Sequence, residues 1–307
     1  MMTNTNPKSY HFILFALLLT LLAACSDDKK DELLTVDKIE FSSNSIKACV
    51  HNEVKEPEKT KVTDVTKLLC SYGRYSDTSD LAQFENLEYI TFADSKGEHL
   101  DLSGVSHVEN LRFERITYDS LGFSTGEFLT QKLVMEDVYG LKQLNLNPLS
   151  QLTNIRIIGS SLEALEIDQL NVLFVLFIQH SNLISLDISQ NFNLKELWLG
   201  GAGNIQSLDT RNLSHLNLLS VTSLPLIEVM LDNVALKTMA LNYTQVKSID
   251  LTLVPNLKIL NLKYNQLENI DLSYNFDLNT VYLEENPFTD ATVDYLDSID
   301  WIEKLVY

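Results

Sequence analysis

Positive charge is scarce in this sequence of 307 residues, which carries 23 Lys and Arg side chains against 42 Asp and Glu. The formal net charge at pH 7 is −19. Binding to a phosphate backbone requires lysines and arginines that displace its counterions. The composition therefore argues against nucleic acid as a partner.

Residue patterns that would carry chemistry are also lacking. The motif G-x-S-x-G occurs at residues 122–126, but it forms a nucleophile elbow only at a strand-to-helix turn with a histidine and a carboxylate in reach. Here it falls between two predicted strands. The histidines of the chain show no metal-ligand spacing. We therefore expect no enzyme, no metal and no cofactor.

The apolar run at residues 12–24 is too short to cross a bilayer comfortably, since that takes about 20 residues. It follows the positive charge of Lys8, which is typical of a secretory signal peptide. The small residues before Cys25 resemble a bacterial lipobox. This resemblance implies a lipoprotein signal peptide at residues 1–24, its removal, and lipid on Cys25. An ordinary signal peptide with a cysteine nearby is the alternative.

Residues 25–38 have the composition of a charged tether, and the letters after Cys25 are SDDKKDE. This stretch resembles the acidic export tag of some Gram-negative surface lipoproteins. The resemblance implies a protein anchored by lipid in the bacterial outer membrane, on the cell surface rather than in the periplasm.

One pattern, L-x-x-L-x-L, recurs along almost the whole chain after the tether. Such a unit cannot bury its apolar side alone, so neighbouring units must stack to close a core. A weaker second half, as in LENIDLS at residues 267–273, predicts a returning turn that shares this interior. Copies follow one another every 20 to 22 residues, with first positions at Val65, Leu87, Val108, Thr130, Leu152, Leu173, Leu194, Leu216, Leu236, Leu257 and Leu278.

This spacing resembles the leucine-rich-repeat family, of the short-repeat, internalin-like kind found in bacteria. The resemblance implies a solenoid, either α/β or mostly β, of about eleven coils at residues 62–288. It also implies a short N-terminal cap at residues 39–61 and a helical C-terminal cap at residues 289–307, because solenoid ends expose apolar edges.

The cap sequences suggest particular elements. Residues 39–41 predict a short strand and residues 45–50 a short helix. Thr289 or Asp290 would begin a helix that runs to about Ile299. Cys70 takes the inward last position of the first repeat strand, so a disulfide to Cys49 in the cap is expected, with two buried free thiols as the alternative.

The family usually has an asparagine two residues beyond the strand, where its side chain satisfies backbone groups inside the bend. Asn265 and Asn286 match this position. Four coils have an apolar residue there instead, namely Ile116, Val138, Ala202 and Leu224. Because buried backbone groups must be paired somewhere, we expect the middle coils to be less regular than the last three.

The residue between the last two apolar positions of each repeat should point out of the sheet. Strands lie about 4.8 Å apart, so neighbours in this column can touch a common ligand. Basic groups in a net-acidic protein also hint at an acidic partner. The predicted ligand-binding residues are Arg112, Arg156, Phe177, Trp198 and Tyr282 in the column, with Lys132 and Glu196 beside it.

Exposed apolar area and the residue types Trp, Tyr and Arg are common at interaction sites. The sequence therefore predicts a binding protein whose concave face takes a protein or a glycan, in adhesion or capture. Two alternatives stay open: an accessory lipoprotein that holds glycans for a polymer-uptake system, and an envelope-structural protein.

Overall fold

The computed structural model describes residues 34–123, 126–201 and 203–307. The predicted signal peptide, Cys25, most of the tether and Ser124 of the G-x-S-x-G motif lie outside these ranges. The described strands are β1 (Lys67–Ser71), β2 (Tyr89–Ala93), β3 (Lys96–Asp101), β4 (Asn110–Gly122), β5 (Lys132–Tyr139), β6 (Gln143–Asn145), β7 (Asn154–Ser160), β8 (Ala164–Glu166), β9 (Val175–Gln179), β10 (Glu196–Gly200), β11 (Ser207–Asp209), β12 (Leu218–Thr222), β13 (Glu228–Met230), β14 (Thr238–Asn242), β15 (Ile259–Asn261), β16 (Thr280–Tyr282) and β17 (Lys304–Val306).

Helices are few. The two α-helices are α1 (Asn44–Glu53) and α2 (Asp290–Asp297), which lie near the two ends of the described chain. Short 3-10 segments occur at Val36–Lys38, Val62–Asp64, Ser79–Gln83, Ser103–Val105 and Leu251–Leu253.

One parallel sheet of 13 strands runs from Lys67 to Val306. Its order is β1-β2-β4-β5-β7-β9-β10-β12-β14-β15-β16-β17, with β3 paired to the second half of β4. Each strand along this path belongs to the next coil of the chain. The predicted solenoid of about eleven coils is confirmed.

The leucine positions of the repeat line the interior. Leu257, Leu260 and Leu262 of one coil are fully buried, and the returning half of that coil adds Leu267 and Leu272. Full burial of a leucine side chain stabilises a fold by roughly 1.5 to 3 kcal/mol. The core is therefore a continuous column of aliphatic side chains shared between neighbouring coils.

The returning half turns on a short polar motif. In Asp-x-Ser or Asp-x-Thr, the carboxylate accepts a hydrogen bond from the backbone N–H two residues on. Asp187 does so from Ser189 at 2.9 Å and Asp271 from Ser273 at 2.8 Å. On this side only short strand pairs form, β6 with β8 and β11 with β13.

Each coil has one residue in the left-handed backbone region where its L-x-x-L-x-L segment ends, either just after the sheet strand or, in β4, β5 and β7, within it. Glycine adopts this conformation freely, and aspartate and histidine are enriched in it, whereas a bulky residue there is uncommon. Three of these residues are tyrosines. In chain order the left-handed residues are Tyr72, Asp94, Arg115, Asp137, Gly159, His180, Gly201, Ser223, Tyr243, Tyr264 and Glu285, and we call them the left-handed column.

The bends differ in how they pair their backbone groups. The Asn265 amide donates to the carbonyls of Leu241 at 2.6 Å and Leu262 at 3.0 Å, and its oxygen accepts from the Val246 N–H at 3.2 Å. Where Ile116 and Val138 replace asparagine, β4 and β5 continue through the bend and pair with each other. These longer ladders satisfy the backbone groups that no side chain reaches.

A second set of buried asparagines lies in the returning half, and the repeat spacing alone did not reveal it. The Asn191 amide donates to the carbonyls of Ile167 at 2.9 Å and Leu170 at 3.1 Å in the preceding coil. Asn233 and Asn275 make the equivalent bonds. They occur in every second coil, so a search at twice the repeat length would have found them.

The N-terminal segment is joined to the first coils by three kinds of contact. A disulfide links Cys49 of α1 to Cys70 of β1. The buried Asp80 carboxylate accepts from the Ser42 N–H at 3.0 Å and from the Ser43 N–H at 2.8 Å. Ile46 and Val50 of α1 are buried in the core.

The strand expected at residues 39–41 is absent from the structure. The chain instead forms a bridge four residues earlier, between Thr35 and Lys61, and the Ile39 N–H closes a 3-10 turn on the Val36 carbonyl. The prediction for this short element was wrong because its backbone partners lie at residues 34–36.

At the other end, α2 begins where the sequence indicated, with the Thr289 hydroxyl accepting from the Thr292 N–H at 3.3 Å. The helix ends at Asp297, two residues before the expected end at Ile299. β17 then adds one more strand to the sheet beyond β16. The capping role of these terminal elements stays a prediction.

Candidate interaction face

Strand register brings most of the predicted binding residues into one row. The row crosses five neighbouring strands. In order from β4 to β10, it contains Arg112, Val134, Arg156, Phe177 and Trp198. Their sequence neighbours on either side are buried, so these side chains point away from the core. We call Arg156, Phe177 and Trp198 the aromatic row.

The three side chains of the aromatic row touch one another. The Arg156 guanidinium carbon lies 4.3 Å from the centre of the Phe177 ring. The Phe177 and Trp198 ring centres are 6.2 Å apart and the ring planes are inclined by 40°. Trp198 Nε1 donates to Glu196 at 3.3 Å, so the predicted residue Glu196 orients the indole. The row is therefore a connected, partly exposed surface.

The arginines of this face are paired with carboxylates. Arg112 bonds to Glu114 and, at 2.8 Å, to Glu136, which also lies 3.8 Å from Arg156. Glu114 was missed from the sequence, although it stands two residues after Arg112 and so shares its outward face. Because these carboxylates balance the arginines, the face offers little free positive charge to an acidic partner.

Two predicted residues lie apart from the row. Lys132 is exposed at the first position of β5 and has no salt bridge within the described residues. Tyr282 lies on β16, four strands beyond Trp198, at a separation of about 19 Å for the usual strand spacing. The Tyr282 ring lies between Lys263 Nζ at 4.5 Å and Lys304 Nζ at 4.8 Å. The predicted set thus divides into two clusters.

A third aromatic cluster was missed by the sequence reasoning. Tyr243 and Tyr264 follow β14 and β15 in the left-handed column, and their rings stack with centres 4.2 Å apart and planes inclined by 10°. Their spacing of 21 residues in the sequence is the available signal, since it places them on adjacent coils. A hydrogen bond that the Tyr264 hydroxyl donates to Tyr243 raises the pKa of Tyr264.

The histidines tie neighbouring coils together. His107 Nε2 lies 2.9 Å from the Phe84 carbonyl, and His215 Nδ1 lies 3.1 Å from the Phe192 carbonyl. His99 Nδ1 lies 2.8 Å from the Ser120 hydroxyl on the exposed surface. Across residues 34–123, 126–201 and 203–307, no group of three His, Cys, Asp or Glu side chains is placed to hold a metal ion.

Within the same described ranges, no helix has the length and apolar character needed to cross a membrane. The apolar run at residues 12–24 lies outside them.

Solved structures share this architecture. A leucine-rich-repeat protein of Leptospira interrogans superposes with a TM-score of 0.57 and 19% identity, over 79% of this chain and 72% of that one. The LRIM1/APL1C complex gives a TM-score of 0.60 and 13% identity, over 80% of this chain and 48% of the other. The fold is that of the leucine-rich-repeat proteins.

The functional domain of InlJ from Listeria monocytogenes gives a TM-score of 0.47 and 15% identity, over 84% of this chain and 72% of that domain. No family model matches the sequence. No curated protein matches it either.

Proposed function

We propose that this leucine-rich-repeat protein works by binding a protein ligand on its concave face, without catalysis. The observation that carries the proposal is the aromatic row, in which Arg156, Phe177 and Trp198 lie outward on three adjacent strands and contact one another. Trp, Tyr and Arg dominate the binding energy of measured protein interfaces.

The geometry of the row favours a protein over a sugar at this place. The Arg156 guanidinium covers one face of the Phe177 ring, and the two rings are inclined by 40°. The inclined rings form no common flat platform for a sugar ring, whereas apolar edges beside paired charges suit the mixed side chains of a protein. Because strands hold the row in place, its ordering costs little free energy on binding.

We further propose that lipid on Cys25 anchors the protein in a bacterial outer membrane, with the solenoid at the cell surface. The support comes from the small residues before Cys25 and the acidic letters after it. The test is protease treatment of intact host cells. Loss of the protein supports surface exposure, whereas protection until the outer membrane is permeabilised contradicts it.

The binding face is tested by photo-crosslinking in the host. A benzoylphenylalanine placed at Phe177 should form a discrete adduct with another protein after irradiation. The same group at Phe192, which is exposed in the returning half of its coil, serves as the matched control and should not form that adduct. Identical adducts from both positions, or none from position 177, would contradict the proposal. Adducts with neighbouring envelope proteins alone would favour the envelope-structural role.

A further inference from the structure

The residues immediately before the sheet strands form a separate column, at the edge where the chain enters the sheet. From Gln131 onward, each N–H donates to the carbonyl of the column residue one coil earlier, at 2.8 to 3.0 Å. All members are exposed except the half-buried Thr153. We call this the entry column, and from β1 to β16 it contains Thr66, Glu88, Glu109, Gln131, Thr153, Phe174, Lys195, Asn217, Lys237, Lys258 and Asn279.

Charges of opposite sign occupy the two halves of the entry column. Glu88 and Glu109 precede adjacent strands in the first half, and Lys237 and Lys258 precede adjacent strands in the second. None of the four forms an ion pair within the described residues. Like charges on neighbouring strands repel one another. A partner of opposite sign would therefore stabilise each pair.

The two charged pairs lie at equal distances from Phe174. The nearer glutamate and lysine are each three coils from it, and the outer two are each four coils from it. A twofold axis through Phe174 therefore puts every glutamate opposite a lysine of a second copy, and no like charges meet. The matched positions are Glu88 with Lys258, Glu109 with Lys237, Gln131 with Asn217, Thr153 with Lys195, and Thr66 with Asn279. Glu303, before β17, lies past the end of the matched length.

The centre of the entry column is apolar. Phe174 and the nearby Val172 are each 37% exposed, and Lys195 Nζ lies 4.6 Å from the centre of the Phe174 ring. An apolar centre with a polar surround is usual for a protein interface. The eleven positions span about 48 Å. A strip of that length and about 17 Å wide gives the roughly 800 Å² per partner that a stable interface buries.

The lysine half also has room for side chains of a partner. An open cavity of about 380 Å³ is lined by Lys237 and Lys258, with Asn217, Asn256 and Asp277 among its other residues. Two lysines against one aspartate leave the cavity with net positive charge. The carboxylates of a second copy can enter it.

From these observations we infer that the entry column is an interface at which two copies of this chain pair antiparallel. The twofold axis runs along the normal of the sheet at Phe174, so the columns run in opposite directions and both concave faces look the same way. The aromatic row stays open in each copy. This inference does not rest on the proposed protein ligand.

Exchange of the charges tests the interface in the purified protein. Lys237→Glu with Lys258→Glu, and separately Glu88→Lys with Glu109→Lys, should each weaken dimerisation by about 100-fold or more, because like charges then meet in both halves. An equimolar mixture of the two variants should recover the dimer, since each glutamate again faces a lysine. Recovery also shows that both variants are folded. Sedimentation velocity measures the mass and the dissociation constant.

Lys96→Glu with Lys247→Glu is the matched control. It changes the net charge as much as the lysine variant does, but at exposed positions at the start of β3 and in a returning half. The control should dimerise like the wild type. A wild type that stays monomeric up to about 0.1 mM would overturn the inference. So would a dimer that survives both charge variants, a mixture that stays monomeric, or an equal loss in the control.

Discussion

At the scale of single residues, buried asparagine amides pair backbone groups in the bends that no other backbone group reaches. The Asn265 side chain bonds to carbonyls from two successive coils and to one backbone N–H. Removing it leaves several buried groups without partners, and each such group costs roughly 1 to 3 kcal/mol. The residue is therefore structural, although it lies next to the exposed tyrosines.

Replacement of Asn265 by alanine should lower the free energy of unfolding by about 3 kcal/mol. Urea denaturation measures this change. Asn256→Ala is the control, because the exposed Asn256 side chain donates only to the Val234 carbonyl, at 2.7 Å. Its cost should stay below about 1 kcal/mol. Equal costs for the two variants would show that the buried amide has no special role.

Asp80 gives the N-terminal segment a dependence on pH. Burial raises the pKa of this carboxyl, but hydrogen bonds from Ser42 and Ser43 outweigh burial and lower it overall. A lowered folded-state pKa means that the ionised group stabilises the fold fully above the ordinary value of about 3.9. This contribution is lost as the pH falls through the folded-state pKa.

Asp80→Asn should therefore be less stable than the wild type at neutral pH, and the difference should shrink as the pH falls below about 4. Urea midpoints measured from pH 7 downward test this expectation. A difference that stays constant over the acid range would mean that the carboxylate charge is not what holds Ser42 and Ser43.

At the scale of elements, the repeat period predicted the sheet well. Every position of the L-x-x-L-x-L pattern that faces inward, from Val65 to Leu283, is buried, because the period records which residues face the core. The period does not record how outward side chains pair. For this reason the sequence did not predict two sets of contacts that the structure shows. They are the bonds of Arg112 to Glu114 and Glu136 and the stack of Tyr243 on Tyr264.

The shape of the ends was also harder to predict. Residues 39–41 have strand-like composition, but a strand forms only where a partner with free backbone groups exists. Lys61, just before the first coil, is that partner, and it pairs with Thr35. Likewise, the continued strands β4 and β5 depend on two adjacent coils lacking the asparagine, which a single repeat cannot show.

The link between α1 and β1 is testable as an element. Cys49 and Cys70 close a loop with a sequence separation of 21 residues. In the chain-entropy model a loop of this size is worth about 3 kcal/mol. The double variant Cys49→Ser, Cys70→Ser should lose about this much stability in urea denaturation. Reduction of the wild type should have a similar effect, and insensitivity to both changes would contradict a stabilising disulfide.

At the scale of the whole molecule, the fold is a stack in which each coil contacts its neighbours. Such a stack presents a long, preformed sheet whose outward residues can vary without disturbing the core. The outward residues here divide into the aromatic row, the Tyr282 cluster with its two lysines, and the Tyr243–Tyr264 stack. One rigid scaffold thus displays separate surfaces of different chemistry.

We propose that the aromatic row binds a protein and does not merely cover the sheet. It is tested most directly by comparing wild type and Trp198→Ala for affinity toward the protein captured from position 177, together with their melting temperatures. We expect the variant to bind more weakly by about 2 kcal/mol, or about 30-fold, at a nearly unchanged melting temperature. Unchanged affinity, or a fall in melting temperature that accounts for the loss, would contradict it and make the tryptophan a structural residue.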